Sequence, residues 1–174
     1  MKVKKIITGD LKENCYLLEK NKNCLLIDPG DDYEQIIQAI QDKNIIAILV
    51  THHHFDHTAS IEKLVKEFSY PVYDYNNLKL GTNTIGEFNF EVIQTPGHTK
   101  DSISFYFKEE QKIFTGDFLF FDTIGRTDFE DSNEVSMEES LEKIKKYPDE
   151  TEIYPGHGIS SILKREKQYN IFLK

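Results

Sequence analysis

The histidines of this chain are few and unevenly placed. Four of the six lie within residues 52–57, and the other two, His98 and His157, each follow a Pro-Gly pair. The local pattern is His52-x-His54-x-Asp56-His57. Neutral imidazoles suit zinc, and a neighbouring carboxylate compensates its charge. In an extended stretch side chains alternate, so His52 and His54 point the same way and can reach one ion. Asp56 and His57 follow at a turn and can face a second ion beside the first. His53 lies on the other side of the alternation and is given no ligand role; it reads as a solvated or supporting histidine. Pro-Gly makes a sharp turn and a close backbone approach, which helps to aim His98 and His157. Gly116-Asp117 has the same look, although Asp117 by itself reads as a turn aspartate.

These groups need a scaffold, and the chain predicts a mixed α/β one. Residues 3–8 read as a first strand. Residues 14–19 and 24–28 read as a hairpin pair about a turn at 20–23. Asp32 with Gln35 resembles a capping box that opens a helix through about Asp42, with Ile36, Ile37 and Ile40 on one face. The apolar run 45–51 is expected to be a buried strand. Ile61, Leu64, Val65 and Phe68 mark a helix, and 71–74 a short strand. Turns are expected over 81–86, then a strand carrying Phe88, Phe90 and Val92. Residues 102–107 and 112–115 read as a hairpin. Ser136 with Glu139 resembles a second capping box, for a helix carrying Leu141 and Ile144. A last strand covers 152–154, and a final helix is expected to start near Ser160 or Ser161. The His and Asp groups then fall at four strand-to-loop junctions, 51–57, 95–99, 116–117 and 155–158. Such junctions are held by a rigid sheet yet exposed at its rim.

Composition bounds the function classes. The chain has 174 residues, 39% hydrophobic and 12% aromatic, which suits one domain with a sizeable core. Its formal charge of -9 repels phosphate backbones, so a nucleic-acid partner is not expected. No stretch approaches the roughly 20 apolar residues of a membrane span. The basic N-terminus has no long apolar region of the signal-peptide kind, so a cytoplasmic protein with a small-molecule substrate is expected. Oligomeric state is left open. Cys15 and Cys24 are expected as buried free thiols, since hairpin folding sets Cys15 near Asp28 and not opposite Cys24.

Taken in order, His52-x-His54-x-Asp56-His57, His98, Asp117 and His157 resemble the metallo-β-lactamase superfamily. The likeness runs from Asn14-Cys15-Tyr16-Leu17-Leu18 and Asp28-Pro29-Gly30 to the C-terminus. It implies an α/β fold, the four-layer αββα sandwich, over residues 1–174. It also implies that His52, His54 and His98 bind one metal, that Asp56, His57 and His157 bind a second, and that Asp117 bridges both. Asp28 would orient a ligand; a plain turn aspartate before Pro-Gly is the alternative. The cofactor implied is a pair of divalent ions, zinc first, with iron or manganese also suited to these donors.

Two ions roughly 3.5–4 Å apart activate a shared water for attack on a carbonyl carbon. By the same resemblance Asp56 would orient that water, and Asp56 and Asp117 would be the catalytic carboxylates. No Gly-x-Ser-x-Gly elbow is present. A finer likeness, to glyoxalase II-like hydrolases, rests on Gly116-Asp117-Phe118-Leu119-Phe120, on Ile124-Gly125-Arg126-Thr127-Asp128-Phe129, and on Arg165-Glu166-Lys167 with Asn170 and Phe172. It implies hydrolysis of glutathione thioesters such as S-lactoylglutathione. Arg126 falls where that family places a basic residue for the glutathione moiety; a structural ion pair with Asp128 or another acid is the alternative. Lys167 is a further candidate, against a solvated helix lysine. The longer glyoxalase II enzymes carry a C-terminal helical domain that helps grip glutathione. Here about 17 residues follow His157, which leaves room for another thioester or ester. Residues 99–102 are Thr-Lys-Asp-Ser, where relatives often have Pro-Gly in the middle. The alternatives are a lactonase, and a mono-iron persulfide dioxygenase using residues that match His52, His98 and Asp117.

Overall fold

A computed structural model describes residues 1–174. Two sheets form the centre. The first joins β1 (Lys2–Thr8), β2 (Glu13–Lys20), β3 (Asn23–Ile27), β4 (Asn44–Leu49) and β5 (Val72–Tyr73) in that order. The second runs β11 (Ser161–Ile162), β10 (Glu152–Pro155), β9 (Lys112–Gly116), β8 (Ile103–Phe107), β7 (Phe88–Gln94) and β6 (Gly81–Ile85). α1 (Tyr33–Ile40), α2 (Phe55–Thr58) and α3 (Ile61–Phe68) accompany the first sheet in sequence. α4 (Glu134–Ile144), α5 (Leu163–Tyr169) and a 3₁₀ turn (Ile171–Leu173) follow the strands of the second.

Side-chain alternation builds the layers. In β2, Tyr16 and Leu18 turn inward to meet Leu25, Ile27, Ala47 and Leu49, and across the gap they face Phe88, Phe90, Phe105 and Phe114 of the other sheet. Cys15 and Leu17, one residue out of phase, face outward with Leu26 and Ile48 toward Ile36, Ile40 and Leu64 of α1 and α3. The second sheet does the same on its far side, where Tyr106, Ile113 and Ile153 pack on Met137, Leu141, Ile144 and Leu163. The result is the expected αββα sandwich. Strands buried on both faces read as continuous apolar runs, which is why β3 and β4 are almost wholly apolar after their first residue and β2 is apolar over residues 15–18. No helix is long and apolar enough to cross a membrane.

The register Tyr16↔Ile27 and Glu19↔Cys24 keeps Cys15 away from Cys24, and both are buried free thiols. Four local expectations need correction. Residues 81–86 are not all turn: Gly81–Ile85 is an edge strand paired with β7, with Thr82 and Thr84 facing solvent and Asn83 and Ile85 on the half-buried face. Ser136 does not cap α4; Asn133 does, accepting the Ser136 amide at 2.8 Å, and Ser136 lies inside the helix. Asp32 occupies a left-handed conformation and caps no amide of α1; its carboxylate instead accepts from the Gln35 side chain. The last helix starts at Leu163, because Ser161 is drawn into β11 opposite Ile153.

Candidate metal centre

All the expected ligands lie at one rim. β3 runs parallel to β4, and β9 parallel to β10. Their C-terminal ends release Asp28, the segment Thr51–His54, Asp117 and His157, while β7 releases His98 after Thr95-Pro96-Gly97. His54 is still extended, and α2 begins after it, which turns Asp56 and His57 toward the centre. Two glycines permit the crowding. Gly116 has φ +51°, and a methyl group on it would stand 2.3 Å from Thr51 Oγ1. A methyl group on Gly156 would lie 2.2 Å from Asp117 Oδ1 and 2.6 Å from His57 Cε1, inside the site itself.

The side chains converge in two neighbouring groups, His52/His54/His98 and Asp56/His57/His157, each with donor atoms within 4.8 Å of one another. Asp117 faces both. Its Oδ1 is 3.2 Å from His57 Nε2, and its Oδ2 is 3.6 Å from His98 Nε2 and 3.5 Å from His157 Nε2. His98 Nε2 stands 2.9 Å from His54 Nδ1. His52 Nε2, His57 Nε2 and Asp117 Oδ1 are buried and have no hydrogen-bond partner. Burying such atoms unpaired is costly, so their convergence fits a cation held among them.

Acceptors on the far side of each ring set the tautomers. His57 Nδ1 donates to Asp28 Oδ2 at 3.0 Å, His98 Nδ1 to the Arg126 carbonyl at 2.9 Å, and His157 Nδ1 to the Leu11 carbonyl at 3.1 Å. His52 Nδ1 lies 3.1 Å from Thr51 Oγ1, whose proton goes to Asp28 at 2.6 Å. Each arrangement points the Nε2 atom at the centre, as metal-binding imidazoles require. Asp28 is therefore more than a turn aspartate: with φ +47° and 2% exposure, it also accepts the Thr51 amide at 2.7 Å. Thr51 and the two carbonyls escaped the sequence reading. Thr51 could have been noticed as the hydroxyl residue beside His52; a backbone carbonyl has no residue signature.

Charge divides between the two groups. Burial, with His57 and His98 nearby, pushes His52 well below the usual imidazole range, and burial and His98 lower His54. Burial also opposes charge on His57, but Asp117 and Asp28 outweigh it and raise its pKa well above the ordinary value. Burial opposes charge on His157 as well, and Asp56 and Asp117 raise its pKa. Burial works against the Asp56 carboxylate, yet His157 and His57 hold its pKa down to about 2. Behind His57, burial pushes Glu13 up to about 9. His52 and His54, shifted toward the neutral form, are ready to accept a cation, and His57 and His157 sit among carboxylates whose charge a cation would balance.

The cleft over these groups has a volume of about 430 Å³. Phe129 packs edge-on against His54 and His98, Phe120 lies near His157, and Leu11 and Ile124 complete apolar walls. Arg126 lines the cleft, but its guanidinium is forked onto Asp128, with Nε to Oδ1 at 2.8 Å and Nη2 to Oδ2 at 2.9 Å. Lys167 is not among the lining residues; its ammonium is bound to the Tyr147 carbonyl at 2.9 Å and to Asp149 at 2.6 Å. Those partners follow α4 and hold its ammonium there, not at the loop of Thr123 and Ile124 that lines the cleft. The neighbouring Glu166 faces that loop, accepting the Asp122 amide and the Asn170 side chain. His53 also lies off the centre, bracketed by Asp101 and Asp74.

Comparison with known proteins agrees with this geometry. The metallo-beta-lactamase superfamily matches residues 8–77 and 72–157. A probable metallo-hydrolase of Bacillus subtilis, YqgX, is 31% identical, covering 99% of this chain and 98% of its own. The hydroxyacylglutathione hydrolase GloC of Haemophilus influenzae is 31% identical over the same shares. Among solved structures, the BLEG-1 B3 metallo-beta-lactamase superposes with a TM-score of 0.94 at 30% identity, over 99% of this chain and 100% of that one. TTHA1623, solved in a di-iron-bound form, gives 0.91 at 32%, over 98% and 100%. ETHE1 from Myxococcus xanthus gives 0.88 at 30%, over 98% and 84%. With the ligand-type residues, their acceptors and the sandwich all in place, the chain belongs to the metallo-β-lactamase superfamily, as a metal-dependent hydrolase.

Proposed function

We propose that this hydrolase binds two divalent ions, zinc first among them, and cleaves thioesters of the S-lactoylglutathione type. The carrying observation is the pair of donor groups joined through Asp117, with buried ring nitrogens and a carboxylate oxygen left unpaired. His52, His54 and His98 would hold one ion, Asp56, His57 and His157 the other, and Asp117 both. Ions bound there supply Lewis acidity and lower the pKa of a coordinated water toward neutrality. The full-length likeness to a hydroxyacylglutathione hydrolase supports the thioester reading.

The chain's own groups account for the remaining steps. Asp56, ionised above a pH of about 2, accepts a proton-bearing hydrogen bond and so orients the attacking water. Asp28 and the carbonyls of Arg126 and Leu11 fix the rings, so the site needs little reorganisation during reaction. Phe120, Phe129 and Leu11 shield the acyl carbon from bulk water. A thiolate leaves readily, so no buried general acid is needed for its departure.

The test is a parallel assay on protein with defined metal content. S-lactoylglutathione should be hydrolysed, with about two ions per chain at full activity. Preferred cleavage of a lactone would replace the thioester reading. Oxygen consumption with glutathione persulfide at one iron per chain would replace the hydrolytic one.

A further inference from the structure

Lys167 is bound away from the cleft, yet its neighbours in the closing segment grip the cleft wall from behind. Residues 119–124 form a small hairpin, with Leu119 bridged to Ile124 and the Phe120 amide donating to the Thr123 carbonyl at 3.0 Å. Phe120 and Ile124 line the cleft. Asp122, at the tip, has φ +59°. Each of the three residues between Phe120 and Ile124 is tied down. The Arg165 guanidinium lies 3.7 Å from the centre of the Phe121 ring and is forked onto the Asp122 carboxylate at 2.6 and 2.9 Å. Glu166 accepts the Asp122 amide at 2.9 Å, and Asn170 donates to the Thr123 carbonyl at 3.1 Å. Glu166 and Asn170 are fully buried and bonded to each other at 3.1 Å. Past Ile124 the backbone is held separately: the Gly125 amide donates to the Phe118 carbonyl at 3.1 Å, and Arg126 gives its carbonyl to His98.

We propose that Arg165, Glu166 and Asn170 are positioning residues: from outside the cleft they fix the hairpin that carries Phe120 and Ile124, and so set how tightly substrate is held without touching it. A short hairpin has few contacts of its own, whereas a satisfied buried network holds one arrangement. Loss of one tie makes displaced positions more frequent. Loss of several makes them common enough to raise the apparent KM, because substrate must select the competent fraction. The ligand-type residues have their own supports, so kcat and metal content are insulated. Only the choice of substrate rests on the thioesterase reading; the anchoring does not.

The experiment compares metal-loaded wild type with D122N, R165A and R165A/N170A. The Asp122 and Arg165 side chains are 46% and 33% exposed, and Asn tolerates a left-handed backbone, so the first two variants keep the fold. One readout is hydrogen exchange of the Phe120 amide without substrate, referred to the amides of β8 and β9. The other is KM and kcat for S-lactoylglutathione. D122N should speed Phe120 exchange by about two- to fivefold relative to the sheet, the range of an exposed ion pair. R165A, which also removes the ring contact, should speed it by about three- to tenfold. In the R165A background D122N should add nothing, because the fork is already gone. KM should rise from wild type through R165A to R165A/N170A, with kcat within about twofold and metal content unchanged. Unaltered Phe120 exchange in D122N and R165A, an equal increase in the sheet amides, or a fall in kcat with KM constant would overturn the inference. If R165A/N170A does not fold, the exchange rates of D122N and R165A decide. Failure of the wild type to hydrolyse S-lactoylglutathione would instead refute the thioesterase reading, and exchange would still decide the anchoring.

Discussion

Replacing Asp28 by Asn tests whether the second group depends on a fixed tautomer. The carboxylate accepts from the Thr51 amide at 2.7 Å, the Thr51 hydroxyl at 2.6 Å and His57 Nδ1 at 3.0 Å, all at buried atoms. An amide of the same shape has one acceptor oxygen. If that oxygen stays with the Thr51 amide, the NH₂ group faces His57 Nδ1, and the imidazole must move its proton to Nε2, the atom aimed at the centre. If it turns the other way, the buried Thr51 amide is opposed by a donor. Either outcome leaves one buried donor unsatisfied, a loss of about 1–3 kcal/mol to the metal-free fold. Losing the acceptor behind a ligand imidazole weakens metal binding by about 10–100-fold. Chelator competition measures the affinities, and urea unfolding of the metal-free protein measures the stability. The ion held by Asp56, His57 and His157 should lose far more than the other, since His57 belongs to that group and not to His52, His54 and His98. Two undisturbed metal affinities in a folded D28N protein would refute the reasoning. The pH dependence supplies a second check. His57 has a raised pKa in the fold, so its ion pairs stabilise the metal-free protein fully below about pH 6.5, its unfolded value, and this stability is lost as pH rises through the folded value. A cation must displace that proton, so metal affinity should climb with pH over the same window, and D28N should move the climb to lower pH.

Other substitutions probe the remaining parts. His54→Ala removes a half-exposed ring from the first group; hydrolysis should fall to background on measured turnover while the unfolding midpoint changes little, and full activity after metal exchange would contradict the two-group site. Glu166 is fully buried and accepts from the Asp122 amide, Ser161, Asn170 and Arg165, so Glu166→Ala should cost about 3–5 kcal/mol in urea unfolding and also raise KM, since Thr123 and Ile124 of the tethered loop line the cleft. Lys167→Ala should leave KM for S-lactoylglutathione within error, because its ammonium is bound to Tyr147 and Asp149; a severalfold increase would restore it as a substrate residue. Gly156→Ala should cut metal content measured by elemental analysis, because the added methyl occupies the space between Asp117 and His57.

Much of the centre was legible because its signals are local. The alternation in His52-x-His54 and the turn at Asp56-His57 follow from strand and helix geometry over a few residues. His98, Asp117 and His157 were marked by the glycines that let the backbone approach closely, and Gly156 shows that space being used. The sandwich itself was legible only through the family resemblance those residues carry; strand alternation and apolar runs gave no more than a mixed α/β chain, β4 being the run that stood out. Polar segments were harder. β6 is an edge strand whose Thr and Asn residues resemble a turn until β7 is set beside it, and Ser136 looked like a cap until Asn133 was seen to be one.

Residue types and spacing by themselves determined which groups could bind a cation and on which kind of junction each stands. The tertiary structure decided that they meet, which ring nitrogen each histidine offers, and where the basic side chains go. Those outcomes depend on contacts between distant parts of the chain. The carbonyls of Leu11 and Arg126 orient His157 and His98, Asp128 takes the fork of Arg126, and Asp149 takes Lys167. A carbonyl is common to every residue and an ion pair has many possible partners, so neither can be chosen by spacing. Packing of the two sheets through Tyr16, Phe90, Phe105 and Phe114 brings the strand ends to one rim, and that placement selects the partners.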